Sequence, residues 1–247
     1  MVLAGCLALV ALPAASQDPS LRLEALTERI AKLQAQLGQG VLAERSRRAQ
    51  GEAMRDFEVA LRAAAAGAPS AEARENYLLL GLLWQDYRGW ALKPPSKENA
   101  RRLADRAQEL AWVAAKGARM AQEPGRKGTG RLALDAAHAA TLSQRVARLH
   151  LIRRWGVRDA SIDSQLGAAT EGLRATLDKL RAATLNTPEV DAELQVAGDQ
   201  LAFLLQAAKD MEGGRGTARQ LEYIAKAGDN ILESMQRVAR LYEGLGA

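Results

Sequence analysis

An eight-residue helical pattern that occurs twice constrains this chain more than any other feature. Leu26-Thr27-Glu28-Arg29-Ile30-Ala31-Lys32-Leu33 returns 116 residues later as Leu142-Ser143-Gln144-Arg145-Val146-Ala147-Arg148-Leu149. Each octet sets apolar residues at i, i+4 and i+7, one face of an α-helix, with an arginine at i+3 beside that stripe. A glycine break follows each, Gly38-Gln39-Gly40 and Trp155-Gly156-Val157. A long helical run comes next in both, closed by a proline-marked turn at Ala68-Pro69-Ser70 and at Thr187-Pro188-Glu189. A third helix stops at Lys93-Pro94-Pro95 in the first copy and at Glu212-Gly213-Gly214 in the second. Ser96 and Thr217 stand where the last helices need N-caps, and Thr217 with Gln220 has the spacing of a capping box. Those last helices agree in register: Leu221, Gly228, Ile231, Met235 and Val238 answer, 118 residues earlier, to Leu103, Leu110, Val113, Gly117 and Met120.

Two copies of four helices follow from this pattern. The expected helices cover 20–37, 42–66, 70–91 and 96–122, then 131–154, 159–184, 188–211 and 217–244. Amphipathic helices joined by short turns bury their stripes best as antiparallel bundles. The expected fold class is all-α, with two tandem antiparallel four-helix-bundle modules, 20–122 and 131–245, joined by the Gly-rich linker 123–130. Fusion of helices across the glycine breaks into longer rods is the alternative. Composition agrees with helices: alanine and leucine abound, and aromatics make up 4%.

The formal net charge is +5, but Lys and Arg are scattered among Asp and Glu. No basic stripe is interleaved with stacking aromatics, so nucleic acid is not an expected partner. Val2 to Ala15 carries no charge and is too short to span a bilayer, which takes about 20 apolar residues. It reads as the apolar region of a signal peptide over 1–16, with Ala14 and Ser16 as the small residues of a cleavage site before Gln17. No basic residue precedes the apolar run, and a true start codon upstream of Met1 is the alternative this leaves open. Leu3-Ala4-Gly5-Cys6 matches a lipoprotein box, so a membrane-anchored lipoprotein is the second reading. The stretch after Cys6 stays apolar, which favours the first. Cleavage after Ser16 would leave a chain without cysteine, hence without disulfide or thiol chemistry. The expected location is the periplasm, and no second run is long enough to cross a membrane.

The Leu142–Leu149 octet resembles the first-helix signature of the PilJ-type N-terminal domain, the sensor region of type IV pilus methyl-accepting chemotaxis transducers. That family is related to the periplasmic sensors of nitrate/nitrite histidine kinases. The Asn186-Thr187-Pro188-Glu189 turn and the closing Val238-Ala239-Arg240-Leu241-Tyr242-Glu243 segment are also similar to it. The first copy shares the pattern more loosely. The resemblance implies a tandem sensor-like module. It points to Arg29, His138, Ser143, Gln144 and Arg145 as ligand or interface residues. One arginine that helps hold the anion in the nitrate sensors falls on Ala140 here and on Glu24 in the first copy. The upstream arginine of the signature falls on His138 and Arg22. The family's anion site is therefore not expected, and Glu24 is free to pair with Arg22 or Arg29 instead. The chain also carries no transducer coiled coil.

Little in the sequence suggests catalysis. His138 and His150 are 12 residues apart, about 18 Å along one straight helix, too far to share a metal. Gly125-Arg126-Lys127-Gly128-Thr129-Gly130 lacks the spacing of a phosphate loop and reads as linker. Arg29 and Arg145 read more readily as stripe-flanking arginines with a nearby carboxylate than as ligand contacts. Trp84, Tyr87 and Trp90, at i, i+3 and i+6, and Phe203 in the second copy read as core; Trp90 and Trp112 could instead form an exposed patch. The expectation is a non-enzymatic binding or accessory module without cofactor. Its partners would be a small ligand, a membrane receptor or another helical envelope protein, with dimerisation open. The alternative is a structural or chaperone-like helical envelope protein with no small ligand.

Overall fold

The computed structural model describes residues 18–122, 128–157, 159–211 and 217–246. The expected signal peptide with Cys6 and the Ser16–Gln17 junction, most of the linker, and the Glu212-Gly213-Gly214 break lie outside them. Among the described residues there are eight α-helices and no strand: α1 (Ser20–Gly38), α2 (Ala43–Ala66), α3 (Ala71–Ala91), α4 (Lys97–Gln122), α5 (Thr129–Trp155), α6 (Ile162–Arg181), α7 (Pro188–Asp210) and α8 (Ala218–Leu245). The protein is all-α. None of these helices is long and apolar enough to cross a membrane.

Local chemistry sets the boundaries. Gly40 (φ 68°) and Gly156 (φ 76°) stand 116 residues apart, both in the left-handed region that terminates a helix. At each the chain closes alike. Val41 N–H donates to the Gln36 carbonyl at 2.9 Å, and Val157 N–H to the Ile152 carbonyl at 3.1 Å. The breaks therefore turn the chain and do not fuse helices into rods. Ser70 Oγ accepts from Ala73 N–H, Ser96 Oγ from Asn99 N–H, and Thr187 Oγ from Val190 N–H. Thr217 and Gln220 form the capping box.

In the first copy α1 packs on α2 and α4, α3 packs on α4, and α2 touches α3. The second copy repeats that set: α5 on α6 and α8, α7 on α8, α6 against α7. Side-chain contacts show α5 and α6, and likewise α7 and α8, running antiparallel. Arg153–Asp163 and Lys179–Asp135 tie opposite ends of α5 and α6, and Arg237–Glu193 with Tyr242–Asn186 do the same for α7 and α8. The last contact joins the Asn186 turn to the closing helix.

The copies meet chiefly along α1 and α5. These helices run parallel, because Glu24 faces His138, Glu28 faces Arg145 and Arg148, and Gln39 reaches the Leu151 carbonyl. Repeat-equivalent residues thus lie side by side. One core gathers Leu23, Leu26 and Ile30 with Phe57, Trp84, Tyr87, Leu103 and Leu110, with Phe57 and Trp84 stacked at 4.1 Å. The other gathers Leu142, Val146, Leu149, Leu173, Leu204, Ile231 and Val238, and also takes Leu21, Ala25, Ala35 and Ala118 from the first copy. The single apolar face expected for α1 and α5 is corrected here. Each helix is covered by its own copy on one side and by the other copy on the opposite side. Thr27, Glu28, Lys32, Gln34 and Gln36 are buried on α1, as are Ser143, Gln144, Arg148 and His150 on α5.

Candidate functional site at the seam between the copies

Placing two helices parallel at their polar faces buries charges, and buried charges must be paired. The pairing crosses between copies. Glu28, fully buried on α1, receives Arg145 Nε on one carboxylate oxygen and Arg148 Nε on the other, each at 2.8 Å. Burial alone would raise the Glu28 carboxyl, but the two guanidiniums, Arg148 foremost, hold it below its ordinary value. Arg145 is raised in turn, chiefly by Glu28. The bases of α1 do the reciprocal thing. Lys32, fully buried, donates to Asp229 Oδ1 on α8 at 2.5 Å, and Arg29 Nε lies 3.9 Å from the same oxygen. Burial presses the Lys32 ammonium's pKa down against the opposing pull of Asp229. Arg29 and Lys32 answer to Arg145 and Arg148 at the offset of 116. Each copy's pair of bases therefore grips an acid of the other copy.

Around this cluster neutral side chains lock α5 to α8. Gln144 Nε2 donates to the Gly228 carbonyl at 2.7 Å and Ser143 Oγ to the same oxygen at 3.3 Å. A Cβ on Gly228 would stand 2.8 Å from the Ala147 Cβ, so glycine is what lets the backbones approach. Tyr87 hydroxyl donates to the Thr27 carbonyl at 2.6 Å beside Glu28. Arg148 Nη1 and Nη2 reach no hydrogen-bond acceptor among the described residues, while its Nε is engaged.

All five residues expected to contact a ligand or partner come to this seam, with different exposures. Ser143 and Gln144 are buried and spent on helix packing. Arg145 and Arg29 keep about a quarter of their side chains exposed, 24% and 27%. His138 is half exposed and faces Glu24 across 3.6 Å. The partners expected for Glu24 need correction: Arg22 pairs with Asp56 on α2, and Arg29 turns to Asp229. Ala140 is buried. Trp84 and Tyr87 are core, as read from the sequence. Trp90 is partly covered, with Lys93 Nζ 3.2 Å from its ring centre, whereas Trp112 and Phe203 are exposed. Glu28, Lys32, Arg148 and Asp229 were missing from the sequence reading. The available signal was a second base at i+6 of both octets, which a solvated face has no reason to repeat.

At the N-terminal ends of α1 and α5 the seam opens into a cleft of about 330 Å³. Ser20, Leu21 and Glu24 line it from α1, Ala115, Ala118 and Arg119 from α4, and Arg131, Leu134, Asp135, Ala137 and His138 from α5. Of the expected site residues only His138 reaches it. No family model matches the chain, and neither any curated protein nor any solved structure matches it.

Proposed function

We propose that the chain is an exported, non-enzymatic, sensor-like binding or accessory module of the periplasm, related to the N-terminal domains of type IV pilus chemotaxis transducers. The observation that supports this reading is the placement of the signature helices. α1 and α5 lie side by side, Glu28 of α1 held by Arg145 and Arg148 of α5 while Lys32 of α1 grips Asp229 of α8, with a cleft at the common end of α1 and α5. Such an arrangement joins two helical units rigidly and leaves a concave surface at their junction, the kind of place ligands occupy. In the seam itself Glu28 and Asp229 are each held by bases, and Ser143 and Gln144 close the contact of α5 with α8.

A second reading, a structural or chaperone-like envelope protein that holds another helical protein, is favoured by one feature. Leu78 and Leu82 of α3 are 63% and 72% exposed one turn apart, with Leu79 beside them. Capture from periplasmic extract with the chain beginning at Gln17 tests the two. A receptor sensor domain as the specific partner supports the first reading. A partner lost on Leu78→Glu and Leu82→Glu, and indifferent to changes in the cleft, supports the second.

A further inference from the structure

We propose that the cleft between α1, α4 and α5 binds a small organic carboxylate with an apolar body, the carboxylate lying between Arg119 and Arg131. This deepens the binding-module reading and rests on it. The volume, about 330 Å³, falls at the small end of ligand pockets, roughly 300–1,000 Å³. Leu21, Leu134 and Ala118 supply the apolar wall. The charges decide the ligand's sign. Both acids in the lining already have bases nearby. Lys179 of α6 reaches Asp135 at 2.6 Å. Glu24 faces His138 and lies within the field of Arg145. Arg119 and Arg131 are exposed side chains, and no carboxylate among the described residues stands within ion-pair distance of either. Arg131 also sits in the first turn of α5, which contains no acidic residue. A base there adds to the positive end of the helix dipole, an unfavourable position that a bound anion would offset. Guanidinium suits carboxylate because two parallel N–H donors match its two oxygens.

Isothermal titration of the chain beginning at Gln17 tests this with hexanoate, hexanamide and sulfate as probes. Saturable one-site binding of hexanoate is expected, with hexanamide and sulfate each at least ten-fold weaker. Arg119→Gln with Arg131→Gln should weaken hexanoate at least ten-fold. Both side chains are solvent-exposed, and far-UV circular dichroism verifies that the double variant stays folded. Ala115→Phe, which fills the cleft from α4, should abolish binding by bulk alone. Absence of hexanoate binding, equal binding of hexanamide or sulfate, or a double variant that binds like the parent would overturn the proposal. A receptor captured from extract by a chain that ignores hexanoate would remove the cleft's role and leave the module's function standing.

Discussion

Replacing Glu28 with alanine tests the seam most directly. The carboxylate is fully buried and uses both oxygens on guanidinium groups. Its loss would leave Arg148, with a side chain 1% exposed and two η nitrogens that already lack an acceptor among the described residues, without its counter-charge. Removing one partner of a buried pair costs about 3–5 kcal/mol, because the remaining charge stays desolvated. For a chain of this size each kcal/mol moves the melting midpoint by about 2–4 °C. Thermal melts followed by far-UV circular dichroism should therefore fall by roughly 6–20 °C. Arg22→Ala is the internal control. It breaks the part-exposed Arg22–Asp56 pair at 3.3 Å, and such pairs contribute about 0–1 kcal/mol. Glu28→Leu combined with Arg145→Leu and Arg148→Met, which removes all three charges together, should recover most of the loss. The carboxyl's lowered pKa gives a second readout. Its contribution is fully present above the unfolded carboxyl value of about 4.3 and is lost as pH falls through the lower folded value. Glu28→Ala should flatten that part of the stability profile. A Glu28→Ala protein within about 1 kcal/mol of the parent would refute the claim that the pairing carries the seam.

Three further outcomes are expected. Gly228→Ala places a Cβ 2.8 Å from Ala147 Cβ and 3.5 Å from the Ser143 carbonyl. The overpacking should cost about 1–3 kcal/mol in urea unfolding, and an unchanged midpoint would contradict the close α5–α8 approach. Burial pushes the Tyr77 and Tyr242 phenols up to about 12 and Tyr87 well above its ordinary value. These phenols contribute stability that is fully present below the unfolded value of about 10 and is lost as pH rises through the folded value. Tyrosinate absorbance of the native protein should accordingly lag behind that of the denatured chain, and coincident curves would count against it. Titration with nitrate or nitrite should show no saturable micromolar binding, since Ala140 offers no donor and Arg145 already holds Glu28. Binding that vanished on Arg145→Ala would overturn that expectation.

The repeat was legible because it is written in local signals. Gly40 and Gly156 mark the same left-handed turn, and Ser70, Ser96, Thr187 and Thr217 cap the helices that follow them. The seam was legible only in part. Arg29 and Arg145 recur at i+3 and were read as stripe-flanking arginines seeking a carboxylate, which describes Arg145 well. The identity of the acids was hidden. Gln144 stands at the repeat position of Glu28, and Ala111 at that of Asp229, so periodicity offered no second copy of either. Their partners lie 117 to 197 residues away, beyond any local pattern. A helix buried on two sides also looks amphipathic when only its leucines and isoleucines are counted, because α1 and α5 cover their other faces with alanine, serine, threonine and glutamine.

The reciprocal grip has a consequence for chain connectivity. Besides the apolar core they share, polar side chains tie the copies together: Glu28 to α5, Asp229 to α1, Gln39 to the end of α5. The two ends of the described chain are neighbours, since Asp18 N–H donates to Glu243 Oε1 at 3.0 Å. A circular permutant sealed across 243 and 18 by a short linker and opened between α4 and α5 would therefore retain all of these bonds while reversing the order in which the copies leave the ribosome.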